Sequence, residues 1–243
     1  MKKHCNLLIV SVLINLFLVI SLALGVDFNI QISPGWNLLS LPIQPSNSSV
    51  SSIISGYEAN ITSIWKWKEG NWAVNIPSFS SDTLDEYSKQ KGFYVLKDIN
   101  AGEGFWINSK NVFAISVSGQ YPEDPSLDLS MGWNLVGLKE NKKGVDVEAL
   151  FKTISYKVKS IWKWKDNTWA VFLFNQPEIL EAYLKAKGFT ILSKIDAGEG
   201  FWVNASEDTG PFPYVEGMVL DGSVVGRYAP VPEAEIYVNN KKI

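Results

Sequence analysis

The stretch SIWKWKEGNWAV, Ser63 to Val74, returns as SIWKWKDNTWAV, Ser160 to Val171. SPGWNLLSLP from Ser33 is likewise answered by SMGWNLVGLK from Ser130, and KGFYVLKDINAGEGFWIN from Lys91 by KGFTILSKIDAGEGFWVN from Lys187. The offset is 97 positions through the Trp72/Trp169 pair and 96 from Leu84/Leu180 onward, so the second copy has lost one residue near NIPSFSSDT. All ten tryptophans fall into matched pairs: Trp36/Trp133, Trp65/Trp162, Trp67/Trp164, Trp72/Trp169 and Trp106/Trp202. A pattern written twice obliges both copies to form the same supersecondary unit, here of about 80 residues.

Within each copy the periodicities alternate between strand and helix. GWNLLSLP, opened by a Gly turn and stopped by Pro42, reads as a short strand. Val50, Ile53, Ile54 and Tyr57 follow at i, i+3, i+4 and i+7, and Val147, Leu150, Phe151 and Ile154 repeat that helical spacing. In IWKWKEGNWAV the period is two, which puts Trp65 and Trp67 on one sheet face and Lys66 and Lys68 on the other. With Glu69 and Gly70 as a hairpin turn, Trp67 faces Trp72 and Trp65 faces Val74. Around Asp166 and Asn167, Trp164 faces Trp169 and Trp162 faces Val171. A second helix is signalled by Pro177, Leu180, Tyr183, Leu184 and a closing Gly188, and more weakly by Leu84 and Tyr87 before Gly92. FYVL, GFWIN and VFAISVSG (Val112 to Gly119) add strands. The expected fold is α+β and β-rich: two tandem homologous small domains, each a mainly antiparallel sheet with two short helices. The boundaries are a leader at 1–25, unit 1 at 26–119, a Pro/Asp/Ser linker at 120–126, unit 2 at 127–208 and a partial β-sandwich-like tail at 209–243.

What the tryptophans do is a contest between packing and binding. Five indoles burying about 150–250 Å² each, at about 25 cal/mol per Å², contribute on the order of 20–30 kcal/mol gross to a unit that has little else to bury. A lysine-bearing reverse face suits a sheet packed on one side only. The expectation is therefore an aromatic core with a solvated lysine face. The alternative is an exposed stacking surface for sugar rings, for which Trp36, Trp106, Trp133 and Trp202, beside Gly turns near strand ends, are the ligand-stacking candidates.

Composition narrows the chemistry. Lys2 and Lys3 precede an apolar run from Leu7 to Leu24 broken only by Ser11, Asn15 and Ser21, and Ala23-Leu24-Gly25 offers small residues for cleavage. This reads as a secretory signal peptide, with an uncleaved membrane anchor as the alternative; the expected location is secreted or cell-surface. Its removal takes away the only His (His4) and the only Cys (Cys5), and with them any Cys or His nucleophile, Ser-His-Asp triad, disulfide or usual zinc or haem site. No catalytic residue, metal site or cofactor is assigned. Twenty basic against 25 acidic residues then remain, which argues against nucleic acid as a partner. Membrane contact is expected only through an uncleaved leader.

The remaining patterns carry less. Glu103 and Glu199 hold matching places in AGEGFW, and paired carboxylates about 5–10 Å apart hydrolyse glycosides; a solvent-facing turn between two glycines is the plainer reading. Asp208-Thr209-Gly210 matches an aspartic-protease triplet but lacks the apolar strand before it. The sequons at Asn47, Asn60 and Asn204 fit an exported surface.

The frame GWNL, IWKW, Trp, GF and AGEGFW, running over residues 30–205, resembles repeated modules of secreted and cell-surface proteins of bacteria and archaea. The resemblance implies an extracellular setting and carries no established activity. Val215 to Asn240 looks like the opening of a carboxypeptidase-regulatory-like, transthyretin-like β-sandwich, with too few residues for the whole fold, as in a fragment of a longer surface protein. The expected function is a non-catalytic exported spacer or binding module, with an extracellular polysaccharide or cell-surface component as partner. A carbohydrate-binding module using the four stacking tryptophans is the first alternative, and a glycoside hydrolase using the paired Glu the second.

Overall fold

The computed structural model describes residues 25–174 and 177–212, with short paired backbone segments at 218–220, 223–225, 237–238 and 241–242. All of the leader assigned to 1–25 except Gly25, and most of the tail assigned to 209–243, lie outside the described residues. The first half of the chain forms β1 (Val26–Ile32), β2 (Gly35–Ser40), β3 (Gln44–Pro45), α1 (Val50–Ile53), β4 (Ile61–Lys68), β5 (Asn71–Asn75), α2 (Ser81–Lys91), β6 (Tyr94–Val95), β7 (Gly104–Ser109) and β8 (Phe113–Gln120). The second forms β9 (Gly132–Gly137), β10 (Val145–Asp146), α3 (Val147–Phe151), β11 (Val158–Lys165), β12 (Thr168–Phe172), α4 (Pro177–Ala186), β13 (Thr190–Ile191), β14 (Lys194–Ile195) and β15 (Gly200–Ala205). The fold is α+β and β-rich, with mostly antiparallel sheets and few short helices.

Turn chemistry sets the register. Glu69 (φ 50°) and Gly70 (φ 78°) both take the left-handed conformation that a two-residue hairpin turn with the right twist requires, and Asp166 (φ 51°) and Asn167 (φ 60°) do the same. β4 therefore pairs with β5 so that Trp67 faces Trp72 and Trp65 faces Val74, and β11 pairs with β12 so that Trp164 faces Trp169 and Trp162 faces Val171. These hairpins lie within two five-stranded sheets of the same order, β2-β7-β4-β5-β6 and β9-β15-β11-β12-β13. Only the last strand of each is parallel to its neighbour.

The helices depart from the spacing that announces them. α1, capped by the Ser49 side chain, lasts four residues before Gly56 (φ 84°) turns the chain. Its apolar spacing continues beyond the helix, with Tyr57 stacking on Phe113 at 4.8 Å. α3, capped by Asp146, passes into a 3-10 turn over Lys152–Lys157. α2 is the opposite case. Ser80 caps its start, Gly92 (φ 73°) closes it, and it runs eleven residues on little more than Leu84 and Tyr87.

The aromatic core is a misassignment of the faces. The two main cores are aliphatic and phenylalanine-rich, built around Ile64, Phe105 and Ile107 in one half and Ile161, Phe201 and Val203 in the other. Both lie on the lysine side of the sheets. Lys66 and Lys163 are 5% and 4% exposed, so the lysine face is not a solvated one; only Lys68 and Lys165, nearer the hairpin tips, reach water. No tryptophan is among the buried core residues. The parity of Leu39, Phe105 and Ile107, in register with Ile64 across β2, β7 and β4, decides which face turns inward.

The tryptophan faces of the two halves instead meet each other. At one part of the seam the backbones touch: the Ser40 amide donates to the Gly198 carbonyl (2.9 Å) and the Gly137 amide to the Gly102 carbonyl (2.9 Å). These reciprocal bonds are what a pseudo-twofold pairing of like elements produces. Glycine is required there, because a Cβ on Gly104 would stand 2.9 Å from the backbone of Val136 and one on Gly200 would run into the Leu39 carbonyl. Gly200→Ala is expected to cost about 1–3 kcal/mol through overpacking, lowering Tm by roughly 2–4 °C per kcal/mol in calorimetry. An unchanged Tm would mean that the halves do not approach this closely.

Candidate functional site

Once each sheet's lysine face is filled, its tryptophan face must find another cover, and α2 and α4 cover only part of it. Phe93, just after α2, packs on Trp65 (5.2 Å), and Phe189, just after α4, on Trp162 (5.5 Å). The rest of each face meets the other half. Trp202 lies 5.9 Å from Trp67 and 5.7 Å from Trp72; in mirror fashion Trp106 lies 6.2 Å from Trp164 and 5.9 Å from Trp169. Most of these rings meet edge to face, the arrangement that aromatic quadrupoles favour.

The rings do not close the seam. An open cleft of about 590 Å³ is lined by Trp36, Trp65, Trp72, Phe93, Trp106, Trp164, Trp169 and Trp202. A second, of about 400 Å³, is lined by Trp67, Trp133, Trp162, Trp169 and Trp202. The pseudo-twofold partners of these last five are Trp164, Trp36, Trp65, Trp72 and Trp106, all in the first cleft, so the clefts are counterparts. Trp36 (44% exposed) and Trp133 (46%) stand at the rims, in edge contact with Trp106 and Trp202 respectively. Volumes of about 300–1,000 Å³ are typical of ligand pockets.

The four stacking candidates are thus brought together as two equivalent pairs, Trp36 with Trp106 and Trp133 with Trp202, the outer member of each exposed and the inner half-buried. The sequence reading missed Trp65, Trp67, Trp72, Trp162, Trp164 and Trp169 as lining residues because it placed the hairpin tryptophans in a core. The polar chemistry of the clefts is sparse. Trp65 Nε1 donates to Ser63 Oγ (2.9 Å) and Trp67 Nε1 crosses the seam to the Trp133 carbonyl (3.0 Å). The indole nitrogens of Trp162 and Trp164 are buried without a hydrogen-bond partner.

Glu103 and Glu199 lie on the other side of the sheets. Lys66 Nζ donates to Glu103 Oε2 (2.6 Å) and to the Asp98 carbonyl (3.0 Å), and the same carboxylate oxygen accepts from the Asn100 amide (2.7 Å). Lys163 Nζ pairs with Glu199, which accepts from the Asp196 amide (2.7 Å). The polar cavity bordered by Glu103 does not include Glu199. Each glutamate thus compensates a buried lysine, and neither faces a tryptophan cleft. Matched Lys and matched Glu in the two copies are the signal from which these ion pairs were legible. Among the described residues no group of three or more His, Cys, Asp or Glu stands close enough to hold a metal ion. Between β8 and β9, hydrogen bonds from Ser126 to Asp124 hold that carboxyl below its usual range.

Comparison with family models, with curated proteins and with solved structures finds no match for this chain.

The ion pairs give a directional test. Glu103→Ala strands a buried ammonium and is expected to cost about 3–5 kcal/mol. Lys66→Met is expected to cost less, because the Glu103 side chain is 34% exposed and water can solvate it once its partner is gone. Urea denaturation of the two variants reads the order; a costlier Lys66→Met would contradict the pairing.

Proposed function

We propose that the chain is a non-catalytic, exported binding module and that the two tryptophan clefts are where it holds its ligand. The observation that carries this reading is the exposure of Trp36 and Trp133 at the rims of clefts whose side chains are all aromatic. Stability alone would draw so much apolar area inward, and aromatic surface left facing open space is characteristic of binding sites. The apolar leader at 1–25 supports export, as does the resemblance to surface modules. The ion-paired placement of Glu103 and Glu199 gives a hydrolytic reading no support.

A second reading makes the module carbohydrate-binding, with an extracellular polysaccharide or cell-surface component as ligand. It is favoured by the pairing of Trp36 with Trp106 and of Trp133 with Trp202, two equivalent platforms on which sugar rings would stack.

Screening the immobilised protein against soluble glycans and peptides tests the site. Trp36→Ala and Trp133→Ala each remove a half-exposed ring that meets one indole edge to face, and are expected to cost about 1–3 kcal/mol of stability while leaving the protein folded. Each is expected to weaken a captured ligand at least about tenfold, as loss of an aromatic anchor does. Ligands held with unchanged affinity by both variants would place binding outside the clefts.

A further inference from the structure

The seam between the halves departs from its own symmetry at one place. The strands that meet there, WNLLSL at 36–41 and WNLVGL at 133–138, differ at two positions, Leu39/Val136 and Ser40/Gly137. The backbone obeys the pseudo-twofold: besides the reciprocal amide bonds of Ser40 and Gly137, Leu39 bridges to Glu199 as Val136 bridges to Glu103. The side chains at the second position do not. Ser40 is fully buried, and its Oγ donates to the Glu199 carbonyl (2.9 Å). Gly137, its counterpart, has no side chain with which to reach the Glu103 carbonyl.

Backbone conformation does not call for glycine at 137, since this residue ends β9 without the left-handed φ that other glycines of the chain take. Space does. A Cβ on Gly137 would fall on the Cβ and Oγ of Ser40. Two residues that the pseudo-twofold exchanges therefore meet on its axis, where there is room for one side chain and not for two.

The duplication gives this asymmetry a consequence. Both halves carry the same tryptophan face, so their aromatic residues alone do not distinguish a like partner from an unlike one. The axial residue does. Two first halves would set Ser40 against Ser40, forcing the backbones apart and breaking the amide bonds between them. Two second halves would set glycine against glycine, with an unfilled space and no hydroxyl for either carbonyl. The unlike pair alone fills the axis once and keeps the hydrogen bond. We propose that Ser40 and Gly137 are the specificity-determining pair of the seam, so that the partner each tryptophan face accepts is the unlike half of this chain, whether of the same copy or of a second. The pairing rule does not depend on whether the clefts take a ligand.

The intact chain serves to imitate each like pair. Gly137→Ser recreates the serine-to-serine contact of two first halves, and Ser40→Gly the glycine-to-glycine contact of two second halves. The double variant Ser40→Gly/Gly137→Ser exchanges the two side chains, and by the pseudo-twofold its hydroxyl would reach the Glu103 carbonyl. In calorimetry Gly137→Ser is expected to lower Tm by roughly 4–10 °C and Ser40→Gly by roughly 2–5 °C, with the double variant at least about 3 °C above Gly137→Ser. Independent effects would instead place the double variant lowest. A double variant no more stable than Gly137→Ser, or a Gly137→Ser variant with unchanged Tm, would overturn the pairing rule. Should Gly137→Ser fail to fold, folded protein from the double variant supports the rule, and failure of both while Ser40→Gly folds overturns it.

Discussion

Lys66 and Lys163 stand in the middle of strands whose inward face is otherwise apolar, and each is kept there by a glutamate from the turn that opens the neighbouring strand. An unpaired ammonium at those positions would be costly to bury, so β4 and β7, and likewise β11 and β15, are held in the one register that brings Lys and Glu together. Once that face is fixed as the inner one, strand alternation sends Trp65, Trp67, Trp162 and Trp164 to the other. The ion pair and the apolar residues that share its face together select where the tryptophans go, and the tryptophans in turn determine what the two halves share.

From that selection follows the dependence of each half on the other. α2 and α4 cover part of the aromatic faces and leave the remainder to meet across the seam, anchored where Gly104 and Gly200 allow the backbones to touch. The AGEGFW motif thus has three tasks within six residues. Its glutamate neutralises the buried lysine, its second glycine admits the opposite half, and its tryptophan crosses the seam. The clefts are what the close approach leaves unfilled.

Much of the fold was legible because its signals are local. Glu69-Gly70 and Asp166-Asn167 specify their turns by backbone conformation, and the cross-strand tryptophan pairs follow from the turns alone. The alternation of Trp with Lys separated two faces correctly, yet which one turns inward depends on partners far along the chain: Phe105 and Ile107 beside Ile64, and Glu103 opposite Lys66. Residue polarity argued for lysine outside and was overridden by a specific carboxylate. Of the site, Trp36 and Trp133 are exposed beside their glycine turns, but Trp106 and Trp202 carry the same cue and are half-buried because each packs on indoles of the opposite half. The contribution of Trp164 and Trp169 to the cleft that holds Trp36 was not, since it arises only when one half is set against the other.

The central claim is that indoles from opposite halves lie against each other. A double-mutant cycle with Trp67→Ala and Trp202→Ala, whose rings are 5.9 Å apart across the seam, tests it most directly. The account predicts that the two substitutions are coupled by about 0.5–1.5 kcal/mol in equilibrium unfolding, as for aromatic pairs in contact. Losses that add to within about 0.3–0.5 kcal/mol, as for distant and independent sites, would contradict it.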